Sequence, residues 1–286
     1  MRTSPRPSRP LRSTLAALAA SLLLLGCDSG GDGTDLDDES VDLDDREIAV
    51  AGTLALFPSS QAFLAGRSLP TPRVSGVTLS LEEPLRVAVA DPEAVFATGV
   101  TGEGGTFQVP GVHVLEINTT LAAGLTSQAG FARTSSVLFD TALSGGRPHL
   151  DLVGTRAYAL PQAFEAQLET ALGEFRIMEL TGDFTTQLTQ AGYILGRVVD
   201  AAGQPVPNVT VVPDREGLAD RMHYPSADLT RMGRTATDTH GLFLYVHSGD
   251  ARVQAFRLTV AGRELAAPPH AGAVTGRGML VELVLP

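Results

Sequence analysis

The sequence predicts a mainly β fold: two small antiparallel β-sandwiches joined by a short helical segment, after a disordered acidic tether. Three observations predict it. From Gly196 to Val246 the chain runs strand, turn, strand, turn, strand, with no helical period. Thr101-Gly-Glu-Gly-Gly-Thr-Phe107 repeats the spacing of Thr237-Asp-Thr-His-Gly-Leu-Phe243, so the β pattern occurs twice. The one convincing helical period, Pro161–Gly173, falls between the two copies. At 286 residues the chain is long enough for two ordinary domains.

The N-terminus carries an address before any fold. Arg2, Arg6, Arg9 and Arg12 form a positive region, and Leu15–Leu25 is an apolar run. That run falls short of the ~20 residues that span a bilayer and has the form of a signal peptide. It ends Leu24-Leu25-Gly26-Cys27, which resembles the bacterial lipobox, where a peptidase cuts before a diacylated cysteine. Cys27 is also the only cysteine, so no internal disulfide can form. The resemblance implies a signal peptide over 1–26 and lipid attachment at Cys27, with two acyl chains giving stable anchoring. The expected location is the cell envelope, on the periplasmic face of a membrane or at the cell surface. Residues 27–47 are the tether. Nine carboxylates from Asp28 to Asp45, interleaved with Gly30, Gly31 and Gly33, repel one another and cannot bury a core. The spacing does not give calcium ligands closed by a bidentate carboxylate.

The first sandwich is expected over 48–158. Ile48–Phe57 has strand character, Pro58–Pro72 is loop-like, and Val77, Leu79 and Leu81 alternate with Thr78 and Ser80. Arg86-Val-Ala-Val-Ala90 follows Pro84, and Val112–Thr120, Thr134–Thr141 and His149–Val153 complete the sheets. A helical connector is expected over 159–192. Pro161 suits a first helical turn, Phe164, Leu168 and Leu172 fall on one face, and Gly173 closes the helix. A second short helix is expected within Leu180–Gln190.

The second sandwich, 193–286, is the more sharply patterned. Asp200-Ala-Ala-Gly203 is a turn in which Asp bonds its own backbone and Gly supplies positive φ. Pro205 and Pro207 lack donors, Val209 and Val211 alternate, and Asp238-Thr-His-Gly241 makes another turn. Phe256, Leu258 and Val260, then Met279, Val281, Leu283 and Leu285, supply the last strands. Gly196, Val198, Asp200, Gly203, Pro205, Val206, Val209 and Val211, with Thr237, Asp238, Gly241 and Phe243, resemble the carboxypeptidase regulatory-like family of transthyretin-like (prealbumin-like) sandwiches. The resemblance implies a non-catalytic accessory or surface module. In the first copy Gly102 stands in place of the Asp, and the Asp-x-x-Gly-x-Pro turn is missing.

A net charge of −11, with 21 basic residues that are all Arg, argues against a nucleic-acid partner, because phosphate binding requires a basic surface. His113-Val-Leu-Glu116 matches the His-x-x-Glu zinc motif of metallocarboxypeptidases. Their odd separation on a strand puts the two on opposite faces, and a zinc site needs convergent ligands, so no metal is expected. No nucleophile elbow, phosphate loop, His-Glu-x-x-His or dinucleotide fingerprint occurs. No cofactor and no catalytic residue is assigned. The candidate binding segment is the long insertion between Val212 and Thr235. Within it Arg215, Glu216, Asp220, Arg221, His223, Tyr224 and Asp228 are the candidate contact residues, with Asp214, Arg231 and Arg234 nearby. A helical turn is expected over Leu218–Met222. The expected partners are the membrane, through Cys27, and an envelope protein or glycan.

Overall fold

A computed structural model describes residues 46–248, 252–265 and 269–286. The signal peptide, Cys27 and all but the last two tether residues lie outside them. Glu47, counted with the tether, opens the first strand. The fold is mainly β, with several sheets and few helices.

Seven strands build the first sandwich: β1 (Glu47–Leu56), β2 (Thr78–Glu82), β3 (Val95–Val100), β4 (Thr106–His113), β5 (Thr120–Leu125), β6 (Thr134–Asp140) and β7 (Leu152–Ala159). One layer has the order β4-β1-β7, with β1 antiparallel to β4 and parallel to β7. The other contains β3-β2-β5-β6, antiparallel throughout. Alternation decides which side chains meet: Val50, Leu54, Leu79, Leu81, Phe107, Val109, Leu121 and Leu125 are buried between the layers.

The second sandwich contains β8 (Tyr193–Val199), β9 (Val211–Pro213), β10 (Met222–Pro225), β11 (Met232–Gly233), β12 (Leu242–Val246), β13 (Val253–Val260), β14 (His270–Val274) and β15 (Gly278–Val284). It follows the same plan. β8 is antiparallel to β12 and parallel to β15, and β9, β13 and β14 repeat the antiparallel order β2, β5, β6. The correspondence reaches single atoms. Phe107 stands opposite Gly52, and Phe243 opposite Gly196. Thr101 Oγ1 donates to the Val74 carbonyl (2.6 Å) and accepts from the Val77 amide (2.9 Å). Thr237 Oγ1 likewise donates to Val206 (2.9 Å) and accepts from Val209 (3.2 Å). Gly76 and Asn208, each preceding those valines, both have positive φ, a conformation Asn tolerates better than most residues. Gly105 and Gly241 close the two turns with φ of 79° and 65°. A Cβ on either would run into the carbonyl oxygen of Leu54 or Val198, which explains the shared Thr…Gly…Phe spacing.

The sandwiches are not separated by a linker. β15 pairs in parallel with β8 over its whole length and with β6 at Gly278↔Thr134, Met279↔Ser135 and Leu280↔Ser136. A nine-stranded sheet therefore runs from one sandwich into the other, in the order β11-β10-β12-β8-β15-β6-β5-β2-β3. Behind this seam the Arg277 guanidinium pairs with Glu82, both buried. Ser135 Oγ donates to Glu82 Oε1 (2.7 Å) and Ser80 Oγ to Glu82 Oε2 (2.7 Å). A second link joins Asp140 to the His270 amide (2.6 Å) and ring Nδ1 (2.8 Å).

Among the described residues six short α-helices complete the fold: α1 (Ser60–Gly66), α2 (Pro84–Ala88), α3 (Thr141–Ser144), α4 (Gln162–Leu172), α5 (Glu174–Leu180) and α6 (Leu188–Ala191). Two of them correct the sequence reading. The loop expected at Pro58–Pro72 contains α1, and the apolar run after Pro84 is the helix α2, which Pro84 opens at a position needing no amide donor. The expected connector is three helices rather than two, because Gly173 ends α4 and starts α5 at once. Their apolar stripe packs on Tyr193, Leu195, Leu242, Leu244, Val246 and Leu280 of the second sandwich, and on Phe57, Tyr158 and Leu160 of the first. Each fully buried Leu or Phe of that stripe contributes about 2 kcal/mol. No helix among the described residues is long and apolar enough to cross a membrane.

Candidate functional site

The insertion between β9 and β12 is pinned to the body by its own polar groups. The expected helical turn forms at Ala219–Arg221. Tyr224 is 2% exposed. Its hydroxyl donates to the Val211 carbonyl (3.1 Å) and accepts from the Val211 amide (2.9 Å), so it ties the segment to β9 and is not open to a ligand. His223, also 2% exposed, is the hub of the segment. Its Nδ1 contacts the Arg221 carbonyl oxygen (2.9 Å). Its Nε2 lies 3.3 Å from Arg176 Nε on α5 and 2.8 Å from Arg234 Nη1. Burial first, and then the Arg234 and Arg176 charges, push the imidazole down to about 4. It is neutral at pH 7, with Nε2 accepting from the guanidinium groups.

Around this neutral ring three arginines line an open recess of about 730 Å³ with Glu179, Leu180, Gly217 and Asp220. Arg176 donates to Glu179 Oε2 (2.7 Å) and to the Asp220 carbonyl (3.0 Å). Arg221 donates to the Leu180 carbonyl at the end of α5 (2.6 Å). Arg234 donates to the Met222 carbonyl (3.0 Å), and its other terminal nitrogen lies 3.7 Å from Asp220 Oδ1. Two like charges thus flank one uncharged imidazole. Burial and the Arg176 charge lower the Arg234 pKa.

The seven sequence candidates do not form one site. Asp220 and Arg221 line the recess, His223 lies beneath it, and Tyr224 is core. Arg215 and Glu216 are exposed outside its lining. Asp228 belongs to a separate turn: Ser226 and Thr230 donate to its carboxylate and bring it down to about 2. That turn borders a depression against α1. Sequence reasoning passed over Arg176 and Glu179, because a helix surface ion pair has no distinctive spacing, and it left Arg234 outside the candidate set. His113, at the end of β4, pairs across to Glu47 of β1 (3.2 Å). Glu116 sits in a 3-10 turn beyond it, so the strand-alternation argument does not apply to that residue. Among the described residues no group of three His, Cys, Asp or Glu gathers to hold a metal.

No family model and no curated protein matches the chain. Among solved structures, a streptococcal ancillary pilin is similar at 12% identity, over 84% of this chain and 69% of that one, with a TM-score of 0.23. The Bacillus anthracis TIE protein is similar at 9% identity, over 84% and 33%, with a TM-score of 0.22. The shaft pilin SpaA from Lactobacillus rhamnosus GG is similar at 9% identity, over 84% and 97%, with a TM-score of 0.22. At these scores the likenesses carry neither fold nor function to this chain. The regulatory-like resemblance stays with the residues that carry it.

Proposed function

We propose that this protein is a lipid-anchored bacterial cell-envelope protein with a non-enzymatic structural or binding role. Cys27 would hold it at the membrane, the acidic segment would space it outward, and two regulatory-like sandwiches would form the working body. The observation that carries the body's role is the shared nine-stranded sheet. It joins the two small sandwiches through backbone pairing of β6 with β15, an arrangement that suits a spacer or a presenting platform. The polar residues of the long insertion support the same reading, since Tyr224 and His223 are engaged in holding the segment to the body. A second reading is a carbohydrate- or peptide-binding accessory subunit of a surface hydrolase or transport complex. The arginine-lined recess favours it.

The anchor is tested by replacing Cys27 with Ala and fractionating cells. Wild type is expected in the membrane fraction and the variant in the soluble or secreted fraction. A variant that stays with the membrane after its signal peptide has been removed would exclude the lipid on Cys27 as the anchor.

A further inference from the structure

We infer that the recess formed by α5 and the β9–β12 insertion is a binding site for a small organic polyanion carrying at least two oxyanion groups, carboxylate or phosphate. Three features combine. First, Arg176, Arg221 and Arg234 open into one recess on a chain whose net charge is −11. Collecting like charges in one place is unfavourable unless something neutralises them. Second, the group between Arg176 and Arg234 is a buried imidazole. It orients both guanidinium groups and cancels neither charge. Third, the two carboxylates in the lining, Glu179 and Asp220, are both largely exposed. The Asp220 side chain is 96% exposed and stands 3.7 Å from Arg234. Glu179, 68% exposed, takes one nitrogen of Arg176. Arg221 gives its bond to a backbone carbonyl. Such exposed pairs are weak and exchange readily for a better acceptor. A guanidinium presents a planar fork that carboxylate and phosphate match with paired bonds.

The size of the recess sets the ligand class. About 730 Å³ lies in the range of small-molecule sites and far exceeds a single ion. Its three arginines come from α5, the 3-10 turn and the chain beyond β11, so an anion with more than one acceptor group can engage guanidinium groups from separate segments. The inference does not depend on the lipid anchor.

Isothermal titration of the full chain in detergent with citrate and with pyrophosphate tests it and separates the two sources of oxyanion. Saturable, salt-sensitive binding of at least one is expected. Arg234→Gln is expected to weaken it by about tenfold or more, the loss of a charge-assisted bond. Arg231→Gln, outside the recess lining, should leave affinity unchanged. Because Arg234 also supports the insertion, Asp220→Asn is the decisive variant. Removing the competing carboxylate should tighten binding by roughly threefold, a gain that misfolding cannot imitate. No binding of either anion at millimolar concentration, or weaker binding by the Asp220 variant, would overturn the assignment.

Discussion

Two buried residues set opposite limits on stability. Glu165 on α4 is 7% exposed and accepts a 2.6 Å bond from the Tyr193 hydroxyl in the core beneath the helices. Burial raises its carboxyl from 4.5 to about 7. The folded state therefore holds the proton more tightly than the unfolded chain. The stabilisation is fully present below pH 4.5 and is lost as pH rises through 7, amounting to about 3 kcal/mol. Glu165→Gln, which cannot ionise, should stay stable at pH 8 where wild type weakens, as urea unfolding at pH 5 and pH 8 would record. His223 works the other way, with its ring pushed from 6.5 to about 4. Its contribution is present above pH 6.5 and is lost as pH falls through 4, again by about 3 kcal/mol. His223→Gln should flatten that acid limb; a limb as steep as wild type would remove His223 as its source. Neither residue's role was legible beforehand. Glu165 stands three and seven residues before Leu168 and Leu172, on the buried face of α4, where a carboxylate is not expected. His223 is a candidate ligand contact by residue type, but its partners Arg176 and Arg234 hold it as a structural bridge.

At the scale of elements, the repeat is what the sequence carried best. The Thr…Gly…Phe spacing predicted two related turns, and each threonine makes the same pair of backbone bonds. The reason is local: a turn with positive φ and a close carbonyl selects Gly in both copies. Strands with alternating burial, such as β2 and β13, were readable for the same reason. The helices α1 and α2 were not, since short apolar runs lack a period that separates helix from strand. The seam between the sandwiches was invisible too. It rests on a three-residue parallel pairing of β6 with β15, and on Arg277 reaching Glu82 from far along the chain. Nothing local marks such contacts. Arg277→Met would leave the Glu82 carboxylate buried without its cation, and should destabilise the protein by about 3–5 kcal/mol. Urea unfolding measures this; a change below about 1 kcal/mol would mean that Ser80 and Ser135 suffice for Glu82.

For the whole molecule, the sequence predicts two sandwiches joined by a helical connector, and the structure adds a shared sheet beneath a helical cover that packs on both. The fold class was legible because each sandwich core is written in its own strands: one comes from Ile48–Ala159 and the other from Ile194–Leu285. The candidate site was half legible. Its insertion stood out by length and charge, but the recess exists only where α5 meets it. The proposed function rests most directly on the proposed lipid at Cys27, and the mass of the mature N-terminal peptide from purified membranes tests it. The account predicts a peptide that begins at Cys27 and carries a diacylglyceryl mass. A mature chain beginning elsewhere, or an unmodified Cys27, would contradict it.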